Sequence, residues 1–414
     1  PGCASMEGDH NTHGAPLPPE EIANTKSKLQ LNPELFYHVD DDVIENFRES
    51  FSYAREEVKA WNNTLKNRML DSSFKKDWDT AMNSELSDIE WPSYEPGQNI
   101  ATRKVWGAVI EAMAPTFKSL VGGSADLEPS NVTAGFAKMV DDFSKDNHSG
   151  RNFAYGVREF PMGAINNGIA QHGGLKVFGA SFFVFSDYER PAIRLRALQN
   201  LPVITEYTHD SIFVGEDGPT HQPIEHLMAC RAIPNLLVLR PCDANEAVVA
   251  SKIAFEQKEY PSLVLFSRQG LPVLDREKYP SADEFRKGAY IISDSIGDPD
   301  ISIFASGSEV PLVLEVKDSL KDKMNIRVVN FGCWELFDMQ SEEYKSKILY
   351  NSSFKVSVEA GITQGWQKYT GNRALNIGID RFGESAPGKD VAKHLGIDAS
   401  SVKNKILKEY SKTS

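Results

Sequence analysis

Between Thr208 and Pro223 the chain reads THDSIFVGEDGPTHQP, with two histidines, three acidic residues and two glycines in one short stretch. Histidine changes charge nearest neutral pH, and a loop this polar and glycine-rich is a candidate for ligand binding. The stretch follows a predicted strand, and ligand sites in open α/β sheets sit at the carboxyl ends of strands. It is therefore the first candidate site. Other residues gain interest only in company. Glu159 beside Arg158 reads alone as a helix-start glutamate. Phe182, Phe185 and Tyr188 recur every three positions and read alone as core packing. Asp126 reads as a turn residue after Gly122-Gly123, and Arg103 and Arg268 as surface charges.

Other chemistries have no signature here. There is no G-x-x-x-x-G-K-[ST] loop and no strand-linked G-x-G-x-x-G. Cys3, Cys230, Cys242 and Cys333 form no C-x-x-C pair, so a zinc ribbon or a thioredoxin-like site is not indicated, and reduced thiols in a cytoplasmic protein are expected. The formal charge is −13, from 45 Lys+Arg against 58 Asp+Glu, the wrong sign for a nucleic-acid backbone binder. A local cluster of Arg and His can still reverse the field inside one cleft. No apolar run approaches the roughly 20 residues that span a bilayer, so no membrane partner is expected. Asn62, Asn131, Asn147 and Asn351 match the glycosylation sequon, which without a visible signal peptide reads as chance. The chain opens on Pro1 with no initiator Met, so its natural start, with any targeting segment, is expected upstream.

The elements that must position these residues follow from pattern. Asp41 to Phe51 predicts an amphipathic helix with Val43, Phe47 and Phe51 on one stripe. Residues 55–82 continue in helical composition, and Trp91 to Gly97 reads as a linker. From about 100 to 275 strands and helices alternate. Predicted strands are Phe117–Val121, Lys176–Phe185, Pro202–Thr208, Leu236–Arg240 and Ser262–Phe266; predicted helices are Thr102–Ala114, Gln222–Ala232 and Asp243–Gln257. The last opens on capping-box-like D-x-x-E spacing. This predicts a doubly wound parallel sheet with helices on both faces. A smaller C-terminal α/β domain follows from about 285 to 414. Its strands are Ala289–Ile292, Ile301–Ala305, Ile326–Phe331 and Phe354–Glu359, with helices capped by Ser308 and begun by Ser400.

GEDGPTHQPIE at 215–225 resembles the transketolase signature. ATRK at 101–104, GGSADLEPSN at 122–131, YGVREFPMGAINNGIAQHGG at 155–174, GASFFVFSDY at 179–188, RPCDANE at 240–246 and SRQGLP at 267–272 resemble the same family in the family's order, and HNTHGAPL at 10–17 resembles the segment closing its first domain. The resemblance implies three parts: 1–95 as the tail of the diphosphate-binding domain with a helical linker, 96–275 as the pyrimidine-binding domain, and 285–414 as the C-terminal domain. It implies transfer of a two-carbon ketol unit from a ketose phosphate to an aldose phosphate, in the pentose phosphate pathway or the Calvin cycle. It also implies thiamine diphosphate, with Mg²⁺ or Ca²⁺, between the chains of a homodimer. Glu159 matches the catalytic glutamate that faces the aminopyrimidine ring nitrogen. Asp126, Leu127, Phe182, Phe185 and Tyr188 match cofactor-contacting positions. Arg103, Ser130, His209 and Arg268 match the cluster that holds the sugar phosphate. Asp217 matches the group that reads hydroxyl stereochemistry, and His13 and His221 match substrate histidines that relay protons. His148, His172, His226 and His394 have no such match and are read as structural.

No Gly-Asp-Gly occurs in the chain. No metal ligand is assigned, and the metal's ligands are expected in a missing part of the diphosphate-binding domain or on a separate N-terminal subunit. The other readings are a related thiamine enzyme, dihydroxyacetone synthase or deoxyxylulose-phosphate synthase, one subunit of a split transketolase, or a non-catalytic dimerisation module.

Overall fold

The computed structural model describes residues 2–83 and 86–412. They divide into two units, Pro1–Lys75 and Lys76–Ser414. The first unit holds a 3₁₀ turn (His10–Thr12) and helices α1 (Pro19–Lys28), α2 (Asp41–Ser50) and α3 (Ser52–Arg68); the division falls within α4 (Ser72–Asn83). The helix expected from Asp41 forms, but its stripe finds no cover within the unit: Val43, Phe47 and Phe51 are 40, 60 and 56% exposed. Glu21 is the one buried side chain among the unit's described residues. Its carboxylate accepts hydrogen bonds from Ser5 N (2.8 Å), Ser5 Oγ (2.7 Å) and Met6 N (3.1 Å), tying the N-terminal turn to α1.

The second unit is built on two five-stranded sheets and a short ribbon. The ribbon pairs β1 (Asn99–Ala101) with β7 (Gly270–Pro272). The first large sheet contains β2 (Leu120–Ser124), β3 (Lys176–Phe182), β4 (Ile204–Thr208), β5 (Leu237–Leu239) and β6 (Ser262–Phe266), in the order β2-β3-β4-β6-β5. All its neighbours run parallel. Every residue of these five strands is buried, as expected of a parallel sheet covered on both faces. Helix α5 (Thr102–Met113) and α11 (Ala244–Glu256) pack on one face, around Trp106, Phe178, Ile204, Phe255 and Phe266. Helices α8 (Glu159–His172) and α9 (Ser186–Leu198) pack on the other. Between these come the short helices α6 (Glu128–Asn131) and α7 (Ala134–Val140), and α10 (His226–Arg231) follows β4. The second sheet contains β8 (Tyr290–Ser293), β9 (Ile301–Ala305), β10 (Ile326–Asn330), β11 (Phe354–Val358) and β12 (Leu375–Ile377), in the order β12-β11-β9-β10-β8 with only β8 antiparallel. Its helix α12 (Glu309–Leu320) packs near β9 and β10.

Several boundaries differ from the sequence reading for physical reasons. The strand expected to end at Gly122-Gly123 instead runs through both glycines. A Cβ at Gly122 would lie 2.2 Å from the Phe178 carbonyl oxygen, and one at Gly123 2.2 Å from that of Phe153, so only glycine lets the neighbouring backbones approach this closely. Strand β3 stops at Phe182 and the chain turns into a 3₁₀ helix (Phe183–Phe185) that feeds α9. The helix expected from Gln222 begins only at His226. At α11 the cap forms as read, with Asp243 accepting from Glu246 N at 2.8 Å, but the Glu246 carboxylate reaches one residue further back, to Cys242 N. The final helix (Ala399–Tyr410) is capped by Asp398, which accepts from the N–H groups of Ser400 and Ser401; Ser400 lies inside it. Ser308 holds the N-cap position of α12 without a side-chain capping bond.

Candidate functional site

Adjacent parallel strands deliver their following loops to one edge of the sheet. Loops after β2, β3, β4 and β6 carry Asp126 to Ser130, Phe185, His209 to His221, and Arg268, so candidates far apart in sequence share the carboxyl edge. Helix α8 ends four residues before β3 begins and so runs back along it, which puts Glu159, its first residue, toward that edge. Glu159 is buried, unlike the exposed helix-start residue its local sequence suggests. The Arg158 guanidinium turns away to donate to the Tyr155 carbonyl oxygen at 3.1 Å.

At the centre the rings of Phe182 and Phe185 stack nearly parallel (5.8 Å between centroids, 8°), and Phe182 lies 3.8 Å from the His209 ring. His221 meets both phenylalanines edge-on, at 6.3 and 5.6 Å, and Tyr188 lies 6.0 Å from Phe185. Tyr188 is 65% exposed, so its ring forms the rim rather than core. His209 is buried with left-handed backbone (φ +61°). Its Nδ1 is 2.7 Å from Thr208 Oγ1. Burial, and then the charges of Arg103 and Arg268, push its pKa down to about 3, so the ring is neutral at physiological pH.

The cations arrive by a local staple. Ser267 N donates to Thr102 Oγ1 (2.7 Å), and Thr102 N donates to Ser267 Oγ (3.2 Å). This fixes the start of α5 to the end of β6 and brings Arg103 into the field of Arg268. Arg103 Nη1 donates to the Ser130 carbonyl oxygen at 2.9 Å, while its buried Nε has no partner. Arg268 is exposed. Asp126 (φ +63°) is also exposed, at the lip of a cavity of about 140 Å³ lined by Ser124, Asp126, Glu128, Pro129, Ala154 and Gly156; Leu127 is half-buried behind it. Asp217 is exposed on the loop between His209 and His221. His13 belongs to the first unit, where it closes the turn His10–Thr12.

Three supporting residues escaped the sequence reading. Asn131, read as a chance sequon, is fully buried and joins three strands: it accepts from Ser124 Oγ (2.7 Å) and donates to the Ser181 carbonyl oxygen (2.9 Å) and Thr208 Oγ1 (3.1 Å). Its place at the end of GGSADLEPSN was the available signal. Gln222 Nε2 donates to the carbonyl oxygens of Gly215 and Glu384, both at 3.0 Å, pinning the loop of His209 and His221 to the C-terminal part of the unit. Arg240 donates to Asp210 (2.8 Å) on that loop and to Glu309 (2.5 Å) and the Ser306 carbonyl oxygen (3.0 Å) beyond it. His226, read as structural, is buried with Nε2 3.1 Å from Asp187.

A flat aromatic face and a buried carboxyl on the same edge of the sheet suit an aminopyrimidine ring. A neutral imidazole in the field of two guanidiniums suits a small organic phosphate. This is the site expected of a thiamine diphosphate-dependent enzyme domain. Residues 98–273 match the transketolase pyrimidine-binding domain, 288–398 the transketolase-like C-terminal domain, and 1–86 the transketolase thiamine diphosphate-binding domain. The chain is 43% identical over 407 residues to the transketolase of Halalkalibacterium halodurans, covering 95% of this chain and 60% of that one. It superposes with a TM-score of 0.89 on the transketolase of Leishmania mexicana (38% identity, 97% of this chain, 59% of that one). The score is again 0.89 for a Pichia stipitis transketolase in complex with sedoheptulose 7-phosphate (36% identity, 97% and 60%). The chain belongs to the transketolase family. It spans about 60% of the length of the relatives it matches. The match at 1–86 corrects one expectation: the diphosphate-binding domain is represented within the chain, and its absence no longer accounts for the unassigned metal ligands.

Proposed function

We propose that this protein is a transketolase in activity, moving a two-carbon ketol unit from a ketose phosphate to an aldose phosphate in the pentose phosphate pathway. The observation that carries the reading is the convergence of Glu159, the Phe182–Phe185 stack, His209 and the Arg103–Arg268 pair on one sheet edge. The thiamine diphosphate that the family uses supplies a carbon nucleophile for the ketol unit. Phe182, Phe185 and Tyr188 would hold its pyrimidine ring against flat apolar faces. Asp126 and Leu127 would contact it from the loop after β2. Glu159 would hold a proton at the pyrimidine ring nitrogen.

His221 and His13 would relay protons at the substrate's hydroxyl and carbonyl oxygens, and Asp217 would read hydroxyl stereochemistry. Arg103, Arg268, Ser130 and neutral His209 would grip the phosphate, the guanidiniums with charge and the others as neutral hydrogen-bonding partners. The divalent ion, Mg²⁺ or Ca²⁺, stays without assigned ligands here. A homodimer is favoured by the apolar rim beside the site, where Val157, Phe160 and Tyr188 are 75, 46 and 65% exposed. A cytoplasmic location fits the free thiols of Cys230, Cys242 and Cys333, all buried. Among the described residues no helix is long and apolar enough to cross a membrane.

The test is formation of sedoheptulose 7-phosphate from xylulose 5-phosphate and ribose 5-phosphate with thiamine diphosphate and Mg²⁺ supplied. Glu159→Gln is expected to lower kcat by at least about 10²-fold with little change in KM. No product from these two sugars, or an unchanged kcat in the variant, removes the assignment.

A further inference from the structure

A chain of hydrogen bonds with a single direction crosses the carboxyl edge of the first large sheet, from β2 through β3 to β4. Leu127 N, which can only donate, bonds Ser124 Oγ at 3.1 Å, and Ser124 Oγ donates to Asn131 Oδ1 at 2.7 Å. On the other side of the amide, Nδ2 donates to the Ser181 carbonyl oxygen (2.9 Å) and to Thr208 Oγ1 (3.1 Å). A carbonyl oxygen only accepts, so the amide is held this way round. Thr208 Oγ1 lies 2.7 Å from His209 Nδ1, and Asn131 Nδ2 and His209 Nδ1 are its two partners. Ser124, Asn131, Thr208 and His209 are all buried.

That direction decides where the His209 proton sits. The Thr208 hydroxyl has one hydrogen. Asn131 meets it with a donor, so the hydrogen goes to His209 Nδ1. A neutral imidazole accepts at one nitrogen and donates from the other, so Nε2 carries the ring's hydrogen. With the hydrogen on Nδ1 instead, Thr208 Oγ1 would receive two donors, and its own hydrogen would be buried without an acceptor. Nε2 has no partner among the described residues, and the ring lies in the field of Arg103 and Arg268. A phosphate dianion offers acceptors only, so it bonds Nε2–H, whereas a bare Nε2 would set lone pair against lone pair. A sugar hydroxyl both donates and accepts, and either tautomer can bond it.

We propose that Asn131 and Thr208 are positioning residues that hold His209 as its Nε2–H tautomer, so that the ring donates to a phosphate oxygen and the subsite favours an acceptor-only group over a hydroxyl. This assignment rests on the reading of Arg103, Ser130, His209 and Arg268 as the phosphate cluster. It goes beyond that reading in making phosphate selection depend on two side chains that never touch the ligand.

The test is nitrogen NMR of the 414-residue chain carrying ¹⁵N-labelled histidine, at about pH 8, where the sugar phosphate's second ionisation near pH 6 is complete. In a neutral ring the protonated and the bare nitrogen resonate far apart, and the His209 pair is the one lost in His209→Gln. The wild type is expected to show Nε2–H with and without ribose 5-phosphate. Asn131→Asp replaces a donor by an acceptor: the new carboxylate takes the Thr208 hydrogen, Thr208 takes one from Nδ1, and the two ring signals exchange roles. Ribose 5-phosphate should then bind about tenfold more weakly or worse, with the affinity for unphosphorylated ribose unchanged. Thr208→Val removes the donor at Nδ1 and should give averaged signals from both tautomers, alone or combined with Asn131→Asp; Thr208→Ser keeps the wild-type signals and affinity. A wild-type ring with Nδ1 protonated, or wild-type ring signals in both Asn131→Asp and Thr208→Val, overturns the proposal and leaves the phosphate reading standing. If Arg103→Ala and Arg268→Ala bind ribose 5-phosphate as the wild type does, the phosphate reading fails and the proposal falls with it.

Discussion

At φ +61° His209 holds a backbone conformation that few non-glycine residues adopt, and it does so where its buried ring stacks on Phe182 and feels the charges of Arg103 and Arg268. Every local influence opposes a proton on that ring, so its pKa of about 3 lies far below the ordinary 6.5. The unfolded chain therefore binds a proton that the folded chain refuses. Stability is unaffected well above pH 6.5 and falls as pH drops from there toward 3. At pH 5 the loss assigned to His209 is about 2 kcal/mol. Urea unfolding of wild type and His209→Gln at pH 7.5 and pH 5 measures it: the wild type should lose about that much more than the variant. A His209 ring signal that titrates near 6.5 by NMR contradicts the burial argument. At this scale the sequence was legible as placement: it put His209 to His221 in the loop after a strand, where the structure has them. It was silent on Asn131, whose meaning depends on the three strands its side chain joins from the end of α6.

Elements were legible wherever apolar runs alternate with amphipathic ones, because a buried parallel strand and a capped helix each leave a local trace. Boundaries were less so. Gly122 and Gly123 signal a turn locally, yet here they allow two backbones to close on β2, a nonlocal reason no window of sequence contains. The connection between the two sheets was also invisible. Arg240 follows β5, and burial works against its charge, but Glu309 and Asp210 outweigh that and hold it charged. Nearby, Arg231 makes a bidentate pair with Glu359 at 2.8 and 2.9 Å. The C-terminal part of the unit thus supports the loop that carries His209 and His221. Arg240→Ala leaves two buried carboxylates facing no cation and should cost about 3–5 kcal/mol of stability, read as a fall in the urea midpoint. A loss below about 1 kcal/mol means the network is not what ties the loop to the second sheet.

On the scale of the whole chain, the charge of −13 and the candidate phosphate cluster act against each other over different distances. A sugar phosphate dianion approaching from solution meets net repulsion first, and the attraction of Arg103 and Arg268 only near the sheet edge. Salt separates the two. At 0.01 M the Debye length is about 30 Å, so the net negative charge is felt well beyond the surface; at 0.15 M it is about 8 Å, and only the nearby cations count. Guanidiniums on an otherwise neutral protein would lose on-rate as salt rises. Here the removal of repulsion offsets that loss. The association rate of ribose 5-phosphate with the 414-residue chain, followed by stopped flow, is expected to rise or stay level between 0.01 and 0.15 M salt. Arg103→Ala should steepen the rise, since it removes the component that salt weakens. A wild-type on-rate that drops severalfold over that range means the cleft's field already dominates at long distance, and that the net charge is carried on faces the ligand never passes.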